Sequence, residues 1–233
     1  MNKIIVITGT RKGLGRDICL YYLQQNHMLI GCSRGESSIV HPHYTHYSLD
    51  VSDEQNVIKM VRETFRKHKR IDVLINNAGI ASMNHIALSP THTANKIFQT
   101  NFFGSFIFLR EVSKIMMKQK NGRIVNFSTV ATPLKLEGEM LYASSKAAVE
   151  TLTKIASKEF GSFGITVNAV GPTPVPTDLI KNVPKEKMDV LLSLQAIKRF
   201  GNMDDILNVI DFFIDKRSAF ITGQIIYLGG VNN

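Results

Sequence analysis

Cysteine is scarce in this 233-residue chain. The two present, Cys19 and Cys32, stand in no paired or metal-ligand spacing. That excludes a disulfide-stapled scaffold and fits two small core residues in a reducing compartment, the cytoplasm. Long apolar runs are also missing. The first, Ile4-Ile5-Val6-Ile7, is too short for a signal-peptide core or a membrane span, and no later segment reaches spanning length. Acidic residues are few: 19 Asp and Glu stand against 28 Lys and Arg, for a formal net charge of +9. Such an excess could draw nucleic acid, a membrane or an acidic ligand. Here it is spread along the chain, with a mild cluster at Lys114, Lys118, Lys120 and Arg123. No nucleic-acid-binding motif accompanies it. The excess reads as solvated helix faces plus a site for an anionic cofactor, with neither nucleic acid nor membrane as partner. Linkers, low-complexity tracts and internal repeats are absent, so residues 1–233 read as one domain. With 44% hydrophobic residues, such a chain can bury a substantial core.

What is present is an alternation of strand and helix signals. Strands are expected over Ile4 to Thr8, Met28 to Ser33, Tyr47 to Val51, Ile71 to Asn76, Arg123 to Ser128, Ile165 to Val170 and Gln224 to Leu228. Helices are expected over Gly13 to Gln25, Ala94 to Met117, Met140 to Phe160 and Asp204 to Ile214. Asp53 opens another, with Val57, Met60, Val61 and Phe65 at helical spacing. Short apolar strands alternating with helices imply an α/β fold, a single Rossmann-type doubly wound parallel sheet with helices on both faces. The Ser-, His- and Pro-containing connection from Arg34 to Thr45 has room for one helical turn. His41, His43 and His46 within it fit no standard metal spacing, and no metal is expected. Pro172, Pro174, Pro176 and Pro184 break up the stretch from Pro172 to Arg199, a natural substrate lid.

Strand one runs into Gly9, Thr10, Arg11, Lys12, Gly13, Leu14 and Gly15, a G-x-x-x-G-x-G loop that opens a helix. Glycines there let backbone approach a pyrophosphate seated at the helix N-terminus, whereas alone they would mark only a flexible turn. Strand two ends on Ser33 and Arg34, with no acid before Glu36. An acid at this point would bind a ribose 2′-OH; a guanidinium, helped by Arg11 or Lys12, suits a 2′-phosphate and so NADP(H).

Tyr142 and Lys146 lie four apart on an expected helix and share a face. That spacing is common by chance. Here it comes with Thr129 at a strand end, Asn76-Asn77-Ala78-Gly79 at another, and Asn101 in the middle helix. Together with Asp50-Val51, Asn168, Arg199-Phe200-Gly201 and Ile221-Thr222-Gly223-Gln224, the chain resembles the short-chain dehydrogenase/reductase family over nearly its whole length. Within that family it is most similar to the 3-oxoacyl-[acyl carrier protein] reductase group.

The resemblance implies a catalytic set of Asn101, Thr129, Tyr142 and Lys146. Tyr142 would exchange the proton, and Lys146 would bind the nicotinamide ribose and lower the phenol's pKa. Asn101 would hold a water linking Lys146 to solvent. Asp50 and Val51 would hold the adenine. Asn77, Ala78 and Gly79 would line the cofactor, as would Pro172, Thr173, Val175 and Thr177. The chemistry asks for the same groups, since a free phenol with a pKa of about 10 is a poor base at neutral pH and a nearby ammonium stabilises phenolate.

Two positions depart from the family pattern. Thr129 stands where serine is usual and keeps a hydroxyl, while Ser128 should point the other way along the strand. Thr173 replaces a glycine, which should thicken the wall beside the nicotinamide. Carrier-protein reductases often present two arginines to the acidic carrier; Arg123 matches one and Phe163 occupies the other. The expected activity is reduction of a keto group on a 3-oxoacyl thioester, a sugar or a secondary-metabolite intermediate. A non-catalytic nucleotide-binding regulator or scaffold is the rival. Family members are commonly tetramers, and Phe102, Phe103, Phe106 and Phe108 make the middle helix apolar on more than one side.

Overall fold

The structure, a computed structural model, describes residues 2–177, 180 and 183–231. Seven strands form one sheet in the order β3-β2-β1-β4-β5-β6-β7. They are β1 (Ile4–Thr8), β2 (Met28–Ser33), β3 (Tyr44–Ser48), β4 (Val73–Asn76), β5 (Gly122–Phe127), β6 (Ile165–Gly171) and β7 (Ile225–Tyr227). Every pairing is parallel. Strands β1, β4, β5 and β6 are buried along their whole length, which is why they are rich in apolar residues on both faces, with Asn76, Arg123, Asn126, Thr166 and Asn168 among the buried polar exceptions.

Eight α-helices connect them: α1 (Gly13–Gln24), α2 (Glu54–His68), α3 (Thr91–Phe98), α4 (Gly104–Gln119), the short α5 (Ala131–Leu134), α6 (Met140–Phe160), α7 (Lys185–Ser193) and α8 (Met203–Ile214). Val57, Met60 and Val61 of α2, Phe108 and Val112 of α4 and Ala156 of α6 pack on one face of the sheet. Ile18 and Tyr22 of α1 and Ile210 and Phe213 of α8 pack on the other. The sheet is therefore doubly wound. Because β1 pairs with β2 on one side and β4 on the other, the winding reverses there. A crevice opens beyond the strands' C-terminal ends, where such sheets hold ligands.

Four local expectations change. Strand β3 begins at Tyr44 and ends at Ser48. The apolar Leu49 and Val51 are buried, but in the turn into α2, where Asp50 Oδ1 accepts the Ser52 amide at 2.9 Å. Phe65 is half exposed, and Thr64 takes the buried place one residue earlier by donating its hydroxyl to Met60 O. The connection after Arg34 has no helical turn; it runs extended, pinned by buried Ile39. The middle helix is interrupted. A π-helical turn at Gln99–Phe103 separates α3 from α4, and such bulges gather at functional sites. The proline-rich stretch carries α7; Asp178, Leu179, Lys181 and Asn182 of that stretch lie outside the described residues.

Candidate active site

The loop after β1 folds back on β2: the Gly9 and Thr10 amides both donate to Cys32 O, at 2.8 and 3.1 Å. Gly9 and Gly13 have φ of +78° and +60°, a region L side chains rarely adopt. Gly15 is needed for another reason. A Cβ there would lie 2.3 Å from both the Gly9 carbonyl oxygen and Asn77 Nδ2. The end of β4 docks on the same loop, with Thr8 Oγ1 accepting the Asn77 and Ala78 amides at 3.1 and 2.9 Å and Asn77 Nδ2 donating to Thr8 O at 2.9 Å. Helix α1 then starts with no side chain capping its first amides and no acid in its first turn. Open amides at the positive end of a helix dipole, behind a backbone cradle that a Cβ would fill, suit a pyrophosphate.

Beside this cradle the Arg11 guanidinium lies against Gly35, 3.1 Å from where a Cβ would stand, so Arg11 and Arg34 converge on one turn. That turn is held from behind. Ser33 Oγ donates to Gly35 O at 2.8 Å, and the His46 Nε2 hydrogen bonds to Gly35 O at 2.9 Å. His46 Nδ1 meets Tyr44 OH at 2.9 Å, and that hydroxyl meets Thr10 Oγ1 at 2.8 Å. Glu36, the first acid, is drawn aside by Ser48. Sequence reasoning missed Tyr44 and His46 as supports of this turn, because their contacts are made across β3 and β2. Asp50 and Val51 lie beyond the end of β3, next to Ser33.

Across the crevice, β5 ends on two hydroxyls that point apart. Ser128 Oγ donates to Glu150, whereas Thr129 Oγ1 accepts the Ala131 amide at 3.2 Å and neighbours the Tyr142 phenol. Burial pushes the Tyr142 phenol up to about 12; the Thr129 bond opposes this and the nearby Glu139 carboxylate adds to it. At neutral pH the phenol therefore carries its proton, the form a general acid needs. Lys146 is buried one turn away and donates to Phe127 O at 2.8 Å. Burial lowers its ammonium to about 8, with Glu150 pulling the other way. In this arrangement the Lys146 ammonium is turned to the strand carbonyl and the phenol stays above its ordinary value.

Asn101, in the π-helical turn, is fixed by three side-chain hydrogen bonds. Its Oδ1 accepts the Ile80 amide, and its Nδ2 donates to Ile80 O and to Ser145 Oγ, all at 2.9 Å. Both donor hydrogens are spent, so Asn101 clamps the segment after β4 onto α6. Ser145 in turn donates to Tyr142 O at 2.7 Å. Ser145 lies inside the Tyr142 to Lys146 motif and was missed because only its tertiary partner reveals its use. A Cβ on Gly79 would be 3.4 Å from both Lys146 Nζ and Asn101 Oδ1, so the loop after β4 lies in contact distance of both side chains.

After β6, Val130 N donates to Pro172 O at 3.2 Å, and Ile180 N to Thr177 O at 3.2 Å. Val175 packs against the α1–α8 core. Thr173 does not thicken the wall as expected. Its side chain is buried, its hydroxyl donates to Gln195 and its methyl faces Gly201. Arg123 is corrected as well. It is buried, donating to the Gly122 and Gly164 carbonyls, so it cannot meet an acidic carrier protein.

Comparison with known proteins agrees with this geometry. The family model for short chain dehydrogenases matches residues 3–188. The 3-oxoacyl-[acyl-carrier-protein] reductase FabG of Staphylococcus epidermidis is 30% identical over 240 residues, spanning 99% of this chain and 98% of that protein. The FabG of Thermotoga maritima is 31% identical over 241 residues, spanning 98% and 96%. Among solved structures, ElxO with NADP bound superimposes with a TM-score of 0.90 at 32% identity, covering 99% of this chain and 98% of that one. A glycine cradle at the switch point, a tyrosine and lysine one helical turn apart, and matches of this extent lead to one assignment: the chain belongs to the short-chain dehydrogenase family.

Proposed function

We propose that this chain is an oxidoreductase that transfers a hydride between NADP(H) and a carbonyl/alcohol pair, working as a keto-group reductase. The observation that carries the reading is the set of buried Thr129, half-buried Tyr142 and buried Lys146 gathered at the strand ends beside the glycine cradle. When bound, the dinucleotide supplies the hydride. The chain's own residues do the rest. The amides of Gly9 to Gly15 and the α1 N-terminus receive the pyrophosphate. Arg11 and Arg34 grip the 2′-phosphate, with Ser33 beside them. Lys12, Leu14, Asp50, Val51, Asn77, Ala78, Gly79, Pro172, Thr173, Val175 and Thr177 complete the cofactor's surroundings. Thr129 orients the substrate oxygen, Tyr142 hands it a proton, and Lys146 holds the ribose. A non-catalytic scaffold would have no use for a phenol, a threonine hydroxyl and a buried lysine gathered in this position, which disfavours that rival.

A 3-oxoacyl thioester heads the substrate candidates, because the FabG relatives are 3-oxoacyl-[acyl-carrier-protein] reductases. With Arg123 buried and Phe163 at the other position, recognition of the carrier itself would need different contacts. A panel of acetoacetyl thioesters, keto sugars, quinones and aldehydes with NADPH tests the activity; no oxidation of NADPH by any of them would refute it. NADPH should bind tighter than NADH, by about 1.5–3 kcal/mol for charge-assisted bonds to the 2′-phosphate. Equal affinities would refute the roles of Arg11 and Arg34.

A homotetramer working in the cytoplasm completes the reading. Half-exposed Phe103 and Ile155 on one side, and Phe212 with fully exposed Phe220 on another, offer two apolar faces of the kind oligomers cover. Among the described residues no helix is long and apolar enough to cross a membrane. A monomer by light scattering at micromolar concentration would refute the tetramer.

A further inference from the structure

Glu150 is a buried acid that the mechanism above leaves without a task. It sits on α6 one turn beyond Lys146, so the pair shares a face as Tyr142 and Lys146 do. One carboxylate oxygen, Oε1, accepts two hydroxyls: Ser128 Oγ from the end of β5, and Tyr227 OH from β7 at 2.7 Å. Both partners are neutral donors, so the carboxylate's negative charge is not cancelled by them. A buried charge without a compensating charge nearby is costly. The cation one turn back on the same helix is Lys146, whose hydrogen bond goes to Phe127 O, the residue before Ser128.

We propose that Glu150 is a positioning residue for the catalytic pair: its carboxylate sustains the charge of Lys146 from below and, through Ser128, holds the strand end that carries Thr129. The inference rests on the assignment of Tyr142 and Lys146 as the acid and its cationic partner. The electrostatics run the same way. Burial drives the Lys146 ammonium toward losing its proton at about 8, and Glu150 is the charge recorded as resisting this. The other groups around the site are Tyr142 on the same helix, Glu139 at its start, Tyr227 from β7, and the neutral Asn101 and Thr129. Glu139 acts on Tyr142 and is itself raised by burial. A site that must keep an ammonium dry and charged has its counter-charge here, on the side away from the crevice.

The test is a pH profile. Glu150→Gln keeps the shape and removes the charge, so Lys146 should lose its proton at lower pH. The alkaline limb of kcat/KM should move down by about one pH unit, the order expected for losing a close opposite charge. The NADPH Kd should weaken at pH 8–9 and stay near the wild-type value at pH 6. Tyr227→Phe and Ser128→Ala remove single hydrogen bonds but leave the charge, and should leave the limb in place. Should Glu150→Gln be too unstable to purify, Glu150→Met takes the same comparison without burying an amide. A limb and a Kd profile that superimpose on wild type overturn the inference, as does an equal displacement by Tyr227→Phe, which would make the effect one of packing. Because the Kd profile needs no turnover, the two failures separate. A shifted Kd with no carbonyl reduced sinks the reductase reading alone, and normal reduction with unshifted profiles sinks the role of Glu150 alone.

Discussion

Gly15→Ala, set against Gly13→Ala, separates two reasons for a glycine in the phosphate loop. At Gly13 a Cβ meets nothing within 4 Å, but φ is +60°. The left-handed conformation costs an alanine about 1–2 kcal/mol, and the less flexible unfolded chain returns about 0.4–1 kcal/mol. The net loss should be about 1 kcal/mol or less. At Gly15 the Cβ would stand 2.3 Å from the Gly9 carbonyl and from Asn77 Nδ2. One is the backbone of the cradle; the other ends the Asn77 side chain, which is held in place by its bond to Thr8 O. Overpacking of this kind costs about 3 kcal/mol at the upper end of its usual range, and alanine's better helix propensity offsets about 1 kcal/mol. A net loss of about 2 kcal/mol lowers the Tm of a chain this long by roughly 4–8 °C. Since Gly9 must move to admit the methyl, NADPH affinity should fall at least about tenfold, equivalent to about 1.4 kcal/mol. Thermal melts with and without NADPH, and titration by cofactor fluorescence, read both effects. If Gly15→Ala melts with Gly13→Ala and binds NADPH as wild type does, the close packing of helix on cradle is not what shapes the site.

Three further outcomes are expected. Tyr142→Phe should lower the rate by about 10²–10⁴-fold, the usual contribution of general acid catalysis, with NADPH binding and Tm nearly unchanged; retained activity in the substrate panel would remove the proposed proton donor. Thr129→Ser should stay active and Thr129→Ala should not, since the hydroxyl beside the phenol survives only in the first; equal behaviour of the two would take Thr129 out of the machinery. The stability difference between wild type and Lys146→Met should shift in favour of wild type as pH rises from about 8 toward 10.5, because burial lowers the Lys146 ammonium from 10.5 to about 8. The unfolded chain binds the extra proton between those values, so the penalty is full below about 8 and fades as pH rises toward the unfolded value. Urea unfolding at pH 7 and pH 10 checks this, and a pH-independent difference would refute it.

Periodicity and local chemistry were enough to place α1, α2, α6 and α8, the parallel sheet, the glycine cradle and the tyrosine–lysine face. Buried strands are short apolar runs, and helical neighbours are spaced three or four apart, so both are legible without a fold. The opposite orientation of Ser128 and Thr129 was legible for the same reason, since successive residues at a strand end face apart. The sequence misjudged places where an apolar residue is buried outside an element: Leu49 and Val51 lengthen the apparent third strand, yet they pack in a turn. Only the tertiary structure decided the long-range polar partners. Asn101 finds Ile80 and Ser145, Thr173 finds Gln195, Arg123 buries itself under two carbonyls, and Glu150 gathers Ser128 and Tyr227. A hydrogen bond depends on two groups meeting within about 3 Å. For residues tens of positions apart, that meeting is set by how the sheet and helices stack, which neither residue carries in its own neighbourhood.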